Sequence, residues 1–206
     1  MTISRRVFLK GAAAGGAAAA FGLSAAAPAA AAAVDPAKAI IIYYSRTGST
    51  EAIAEVIAKE TGARVLRIDV KDPYAASYGD MTDIARSEVR RKARRELSTT
   101  IPDLSGFDVV FLGSPYWWGS LSVPMATFLM DHNLAGKRVY PFITSGSSSP
   151  AGALSCIREL CPQAEVGEYF YVPGSQASGA ADDVKVWLKK INKSIGRPEV
   201  PDDHRP

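Results

Sequence analysis

From residue 39 onward the apolar positions follow two rhythms. Short unbroken runs such as Ile40-Ile41-Ile42 and Val109-Val110-Phe111-Leu112 alternate with stretches where apolar residues recur at helical spacing, as Ile53, Val56 and Ile57 do. Unbroken runs mark strands covered on both faces, the pattern of a parallel sheet with helices above and below. The runs predict strands at 39–44, 64–68, 108–113, 138–144 and 169–172. The periodic stretches predict helices at 50–60, 80–97, 124–131, 151–160 and 181–195. Five strands, each followed by a helix, predict an α/β fold: a three-layer, doubly wound, five-stranded parallel sheet. No internal repeat is visible.

Charge changes the picture at the second helix. Residues 85–96 contain Arg86, Arg90, Arg91, Lys92, Arg94 and Arg95, interrupted by Glu88 and Glu96, while Ile84, Val89, Ala93 and Leu97 keep an apolar face. This spacing predicts a solvated amphipathic helix rather than a docking surface for a polyanion.

The two ends lie outside the pattern. Residues 1–33 open with Ser4-Arg5-Arg6-Val7-Phe8-Leu9-Lys10, pass through an Ala/Gly-rich middle and end with several A-x-A cleavage options. That is the build of a secretory signal peptide. A transmembrane anchor fits poorly, because the middle is mostly Ala and Gly with Pro28 close behind. Arg5-Arg6 followed by Phe8-Leu9-Lys10 resembles the twin-arginine export signal of bacteria, which implies a periplasmic or extracellular protein carried in folded form. The chain then divides into a signal at 1–33, one domain at 34–196 and a flexible tail at 197–206, with no integral membrane segment once the signal is removed. The signal holds three of the 24 basic side chains and none of the 21 acidic ones, leaving 21 of each sign. The mature chain is near neutral, and nothing in this balance calls for nucleic acid.

Cysteine and histidine are sparse. Cys156 and Cys161, five residues apart on one predicted helix, point about 140° apart. A disulfide requires the helix to unwind near Cys161-Pro162, although an exported protein meets an oxidising space. The pair is too small for a metal site. Neither His132 nor His204 has a plausible partner for acid–base or metal chemistry.

In a doubly wound sheet, ligands bind outside the carboxyl ends of the strands, and three strands end in unusual loops. The first is Ser45-Arg46-Thr47-Gly48-Ser49-Thr50, which opens directly onto a helix. A helix N-terminus favours a phosphate, four hydroxyls add donors, and Gly48 lets the backbone close tightly. Ordinary capping by Ser49 or Thr50 explains one hydroxyl, not four in six residues. There is no Gly-Lys-Ser/Thr and no G-x-G-x-x-G, so neither a P-loop nor a dinucleotide fingerprint is present. The second loop is Gly113-Ser114-Pro115-Tyr116-Trp117-Trp118-Gly119-Ser120, whose adjacent aromatics suit a flat ligand, with one of the two tryptophans free to tuck into the core. The third, Thr144-Ser145-Gly146-Ser147-Ser148-Ser149-Pro150, offers small hydroxyl residues around a glycine. Together they describe a phosphate joined to a planar polar ring, and flavin mononucleotide (FMN) fits both halves.

These three motifs, in this order across the whole domain, resemble the flavodoxin family. The Tyr116-Trp117-Trp118-Gly119 loop and the Leu160-Cys161-Pro162 turn look more like a flavodoxin-like branch of unassigned role than like the short electron carriers. The resemblance implies strand order 2-1-3-4-5 and non-covalent FMN. It implies that Ser45, Arg46, Thr47, Gly48, Ser49 and Thr50 hold the phosphate. Pro115, Tyr116, Trp117, Trp118 and Gly119 would pack on the isoalloxazine, with Trp117 or Trp118 stacking, and Ser145, Gly146 and Ser147 would meet its polar edge. A peptide near Trp118-Gly119 would turn its carbonyl toward the reduced flavin. No catalytic side chain and no metal ligand is expected, because the flavin does the chemistry. The expected function is electron transfer outside the cytoplasm, to an unknown redox partner protein or a small electron acceptor. The alternatives are an FMN-dependent NAD(P)H:quinone-type reductase, or a binding module for another phosphorylated planar ligand. Electron-carrier flavodoxins are usually strongly acidic, and this near-neutral chain departs from them, which weakens charge-steered docking as a mode of action. A phosphatase loop would need a cysteine where the first loop has none, and a response regulator would need an aspartate where strand three ends in Gly113-Ser114-Pro115.

Overall fold

The computed structural model describes residues 34–146 and 149–195. The predicted signal peptide at 1–33, Ser147 and the tail at 197–206 lie outside the described residues. Strand β1 (Ala39–Tyr43) is buried along its whole length. The two-residue period of a strand sends its side chains alternately to opposite faces of the sheet. Ile41 and Tyr43 pack with Phe111 and Phe142 against α1 (Ser49–Thr61) and α5 (Ala181–Ile195), through Ile53, Ile57, Trp187 and Ile191. Ile40 and Ile42 face the other layer, made by α2 (Tyr78–Arg90), α3 (Val123–Asp131) and α4 (Ala151–Leu160), through Met81, Ala85, Phe128, Leu129 and Ile157. Both faces are therefore covered, as the unbroken apolar runs required.

The remaining strands are β2 (Arg64–Arg67), β3 (Val109–Trp117), β4 (Ser120–Leu121), β5 (Arg138–Ser145), β6 (Glu165–Val166) and β7 (Phe170–Pro173). The parallel order is β2-β1-β3-β5, with β6 and β7 both pairing with the outer side of β5. Taking β6 and β7 as one interrupted edge strand gives the expected order 2-1-3-4-5. β4 is an addition: it folds back antiparallel on the end of β3, with Trp117 opposite Ser120. β3 consequently runs four residues beyond Gly113, and its pairing with β5 continues to Pro115 opposite Thr144.

The second helix differs from the 80–97 predicted. It starts at Tyr78, where Ser77 Oγ accepts from the Asp80 N–H, and stops at Arg90. Lys92 takes φ 51, the Lys92 N–H returns to the Val89 carbonyl and the Ala93 N–H to the Glu88 carbonyl. That is the bonding of a Schellman stop, with lysine where glycine is usual. Leu97 leaves the helix altogether and bridges Val70. Ile84 is exposed, and Met81 and Ala85 form the buried face instead. The basic residues are not a uniformly solvated stripe either. Arg95 is buried against Glu88, Arg94 pairs with Asp131, Lys92 pairs with Glu159, and Arg86 lies over Trp118.

Cys161 is buried at the end of α4, Cys156 is half-buried, and both are free thiols. Burial pushes the Cys161 thiol up to about 11. Among the described residues no helix is long and apolar enough to cross a membrane, and no group of three or more His, Cys, Asp or Glu side chains is placed to hold a metal.

The crossing of β1, β3 and β5 depends on Gly113. A Cβ there would lie 2.2 Å and 2.3 Å from ring carbons of Phe142 and 2.7 Å from the Tyr43 Cβ. Gly113→Ala is expected to lower stability by about 2 kcal/mol through overpacking. Urea unfolding reads this as a lower midpoint at an unchanged slope.

Candidate functional site

The carboxyl ends of β1, β3, β5 and β7 meet at one edge of the sheet and enclose a cavity of about 390 Å³. Its first wall is the turn from β1 into α1. Gly48 sits at the helix N-cap with φ 89, and no side chain caps the helix. Neither Ser49 nor Thr50 is the cap. The first-turn N–H groups and the positive end of the helix therefore lack a side-chain partner at a cavity wall formed by Ser45, Arg46, Thr47, Ser49 and Thr50.

The hydroxyls of this turn mostly serve the protein. Ser45 Oγ accepts from the Gly48 N–H at 3.1 Å, which closes the loop. Thr50 is buried, and its Oγ1 lies 2.8 Å from Thr144 Oγ1 on β5. Ser49 Oγ donates to the Gly174 carbonyl at 3.2 Å. Arg46 reaches away: its Nη2 donates to the Ala75 and Ala76 carbonyls at 3.0 and 2.9 Å, tying this loop to the one before α2. The backbone of the turn, rather than a set of four free hydroxyls, is what the loop offers to an anion.

A support under the turn has no local sequence signal. Arg67 on β2 donates from Nη2 to the Ser45 carbonyl at 3.0 Å and from Nη1 to Glu51 Oε1 at 2.6 Å, and Tyr43 donates to the same carboxylate oxygen. The hydrogen bond from Arg67 holds the Glu51 carboxyl below its usual range, so the acid in the first helical turn stays paired and ionised. Strand pairing of Arg67 opposite Tyr43 brings these groups together, and only the sheet register reveals it.

The second wall is the β3–β4 hairpin. Its two-residue turn is Trp118-Gly119, with φ 50 and φ 87. Two successive positive φ values are the mark of a type I′ hairpin, where Asn-Gly is the usual pair. Tryptophan in that place breaks a local rule, and such outliers collect at functional sites. The base of the hairpin is knitted by buried serines: Ser114 Oγ accepts from the Ser122 N–H at 3.0 Å and donates to the Pro115 carbonyl at 2.8 Å.

The two tryptophans part company here. Trp117 turns inward, edge-on to Tyr74 at 4.9 Å and to Tyr44 at 5.8 Å. Trp118 stays 46 % exposed, donates from Nε1 to the Thr82 carbonyl at 3.0 Å and carries the Arg86 guanidinium 4.1 Å over its ring. Trp117 is half-buried and packs against the core, Trp118 is the more exposed of the two, and both rings line the cavity.

The remaining walls contain both expected and unexpected residues. Ser145 and Gly146 line the cavity, and Ser145 Oγ lies 3.0 Å from Tyr171 Oη. Gly48 and Gly119 shape their turns without lining the cavity, and Ser147 lies outside the described residues. Pro115 and Tyr116 line it beside the tryptophans. Residues not anticipated are Tyr78, Met81, Thr82 and Ala85 on α2, and Gly174-Ser175 after β7. The last pair had a signal: it follows the fifth strand of a parallel sheet, whose carboxyl ends all lie on one edge. Gly152 on α4 was also unforeseen. A Cβ there would meet the Gly119 carbonyl oxygen at 1.9 Å, so this glycine lets the helix touch the backbone of the turn.

The geometry can be set beside known proteins. The family described as Flavodoxin matches residues 38–191. Among solved structures, a candidate flavoprotein from Bacteroides eggerthii is 26% identical with a TM-score of 0.66, covering 75% of this chain and 97% of that one. A flavoprotein from Lactobacillus acidophilus, in complex with FMN, is 23% identical with a TM-score of 0.58, covering 72% of this chain and 98% of that one. Among curated relatives, an "NAD(P)H dehydrogenase (quinone)" of Cupriavidus metallidurans is 31% identical over 93 residues, which is 45% of this chain and 45% of that protein. The chain thus spans less than half the length of that relative.

Proposed function

The chain belongs to the flavodoxin family, and from that premise we propose that its cavity holds FMN non-covalently and that the protein is an exported redox protein, passing electrons to a partner protein or a small acceptor. The observation that carries this reading is one cavity bounded by both an uncapped helix N-terminus and an exposed indole. The first turn of α1 would hold the phosphate on its backbone N–H groups, with Thr47 beside them. Trp118, whose indole is steadied by the Arg86 cation, would stack on the flavin ring. Ser145 and Gly146 would meet the ring's polar edge. The flavin supplies the redox chemistry; this chain binds and orients it and sets how much water reaches it. The FMN-bound neighbour from Lactobacillus acidophilus supports the choice of ligand, and Arg5-Arg6 supports export.

A second reading, an NAD(P)H:quinone-type reductase, is favoured by the name carried by relatives such as the Cupriavidus protein. One preparation separates these outcomes. Protein recovered from outside the cytoplasm is expected to be yellow and to release FMN in a one-to-one ratio on acid treatment. Protein that stays colourless after incubation with excess FMN overturns the flavin reading. Rapid bleaching by NAD(P)H alone favours the reductase, and resistance to it favours the electron carrier. Replacing Arg5 and Arg6 by lysine is expected to hold the precursor in the cytoplasm; unchanged export removes the twin-arginine route.

The contact between α4 and the hairpin gives a further expectation. Gly152→Ala drives a methyl into the Gly119 carbonyl and must shift the turn. Affinity for FMN is expected to fall about tenfold, equivalent to about 1.4 kcal/mol, read by flavin fluorescence titration. A Gly152→Ala protein that binds as tightly as the parent shows that the turn's position is immaterial.

A further inference from the structure

Behind the β3–β4 hairpin lies a second cavity of about 330 Å³, between the end of α2, α3 and α4. Its walls are mainly apolar: Val89, Leu121, Val123, Ala126, Met130 and Leu160. Trp118 lines this cavity as well as the first, so the hairpin turn is a partition between the two. Among the described residues only two non-glycine residues have positive φ, Lys92 and Trp118, and both line it. Strained backbone is retained where the surrounding structure needs it, and it collects around binding sites. Lys92 Nζ reaches across to Glu159 Oε1 on α4 at 2.9 Å, so an ion pair spans from the end of α2 to α4 beside the cavity.

We propose that this cavity is a second ligand site, for an uncharged planar ring bearing a carbonyl oxygen, of the quinone class. Each part of that description has its residue. Gly119 and Gly152 put a stretch of wall without side chains next to an indole, which suits a flat ring. The apolar walls favour a hydrophobic body, with Ser120, Ser155, Lys92 and Glu159 leaving a polar part of the lining for a polar atom on it. The charges around the cavity are already matched, Lys92 with Glu159 and Glu88 with Arg95, so a ligand with net charge gains no partner. The Lys92 ammonium has three N–H donors and gives one to Glu159, leaving donors for a neutral carbonyl. The volume is within the range of small-molecule sites, about 300–1,000 Å³.

The probe is 2,3-dimethyl-1,4-naphthoquinone, whose substituted ring has no open position for addition of the Cys156 thiol. Calorimetric titration is run on the flavin-free chain and on chain saturated with FMN. One equivalent is expected to bind in both cases. Val89→Trp and Met130→Trp each fill the cavity and are expected to weaken quinone binding about tenfold or more, with FMN affinity unchanged. Circular dichroism confirms that each variant is folded, and either one suffices. Three results overturn the site: no saturable binding to the parent chain, displacement of the quinone by FMN, which places it in the first cavity, or equal affinity in a folded plugged variant. Failure of the chain to take up FMN strikes only the function proposed above, because the flavin-free titration still reads this site.

Discussion

Replacing Trp118 by alanine is expected to weaken FMN binding about thirtyfold, roughly 2 kcal/mol, while the fold survives. The indole is nearly half exposed, so its removal opens no hole in the core. Its present contacts are the Nε1 bond to the Thr82 carbonyl and the Arg86 cation at 4.1 Å, both on α2. They hold the ring at the cavity, and they offset a backbone at φ 50 that tryptophan does not favour. Trp118→Asn sharpens the test, because asparagine suits the first position of a type I′ turn. Trp118→Asn is expected to match or exceed the parent in thermal stability and still to lose the flavin affinity. If Trp118→Ala binds FMN as the parent does, stacking on this ring is wrong. If Trp118→Asn retains the affinity, the turn and not the ring is what counts.

The largest expected effect on stability comes from Arg95→Met, about 3 kcal/mol of lost unfolding free energy. Arg95 and Glu88 keep only 11% and 8% of their side-chain surface exposed. The guanidinium meets the carboxylate through Nη2 at 3.0 Å and through Nε, lies 3.8 Å over the Tyr74 ring, and Tyr74 donates to Glu88 at 2.6 Å. Removing the cation leaves a buried carboxylate with one phenol donor. The damage extends to the cavity, because Tyr74 packs edge-on against Trp117. Changing both partners, Arg95→Met with Glu88→Gln, is expected to recover part of the loss, since no charge is then left buried. An Arg95→Met protein as stable as the parent at neutral pH refutes the account.

The same cluster sets a pH dependence. Burial, and after it the Glu88 carboxylate, hold the Tyr74 phenol well above its ordinary value of 10.0. A group whose folded value is raised contributes stability that is complete below the unfolded value and lost as pH rises beyond it. Stability is therefore expected to decline above about pH 10, and Tyr74→Phe should flatten that alkaline limb in urea unfolding curves recorded from pH 7 upward.

Five of the seven strands and four of the five helices were legible from the chain, because Ile40-Ile41-Ile42 and Val109-Val110-Phe111-Leu112 have the same burial wherever the rest of the sheet goes. The second helix was misread for a physical reason. Residues 91–97 keep helical periodicity and contain no glycine or proline, yet burial of Arg95 on Glu88 and pairing of Leu97 with Val70 pull the chain out of the helix at Lys92. Tertiary contacts there outweigh a propensity worth a few tenths of a kcal/mol per residue. β4 and β6 were missed because two residues carry too little pattern to register as a strand.

For the site, the order of strands along the chain is enough to say which loops meet. A parallel sheet places the carboxyl ends of its strands on one edge, so the loops at 45–50, 115–119 and 145–146 had to be neighbours once the strands were recognised. What each side chain does there follows from contacts that exist only in the folded chain. Thr50 is taken by Thr144, Ser49 by Gly174, Arg46 by the carbonyls of Ala75 and Ala76, and Gly152 is small because the Gly119 carbonyl lies against it. Trp117 and Trp118 are adjacent and chemically identical, and it is the turn at φ 50 followed by φ 87 that packs one edge-on against Tyr74 and leaves the other nearly half exposed, with both lining the cavity. Strand and helix patterns are written in neighbouring residues, whereas hydrogen-bond partners and steric limits lie tens of residues apart and come into being only when the sheet has closed.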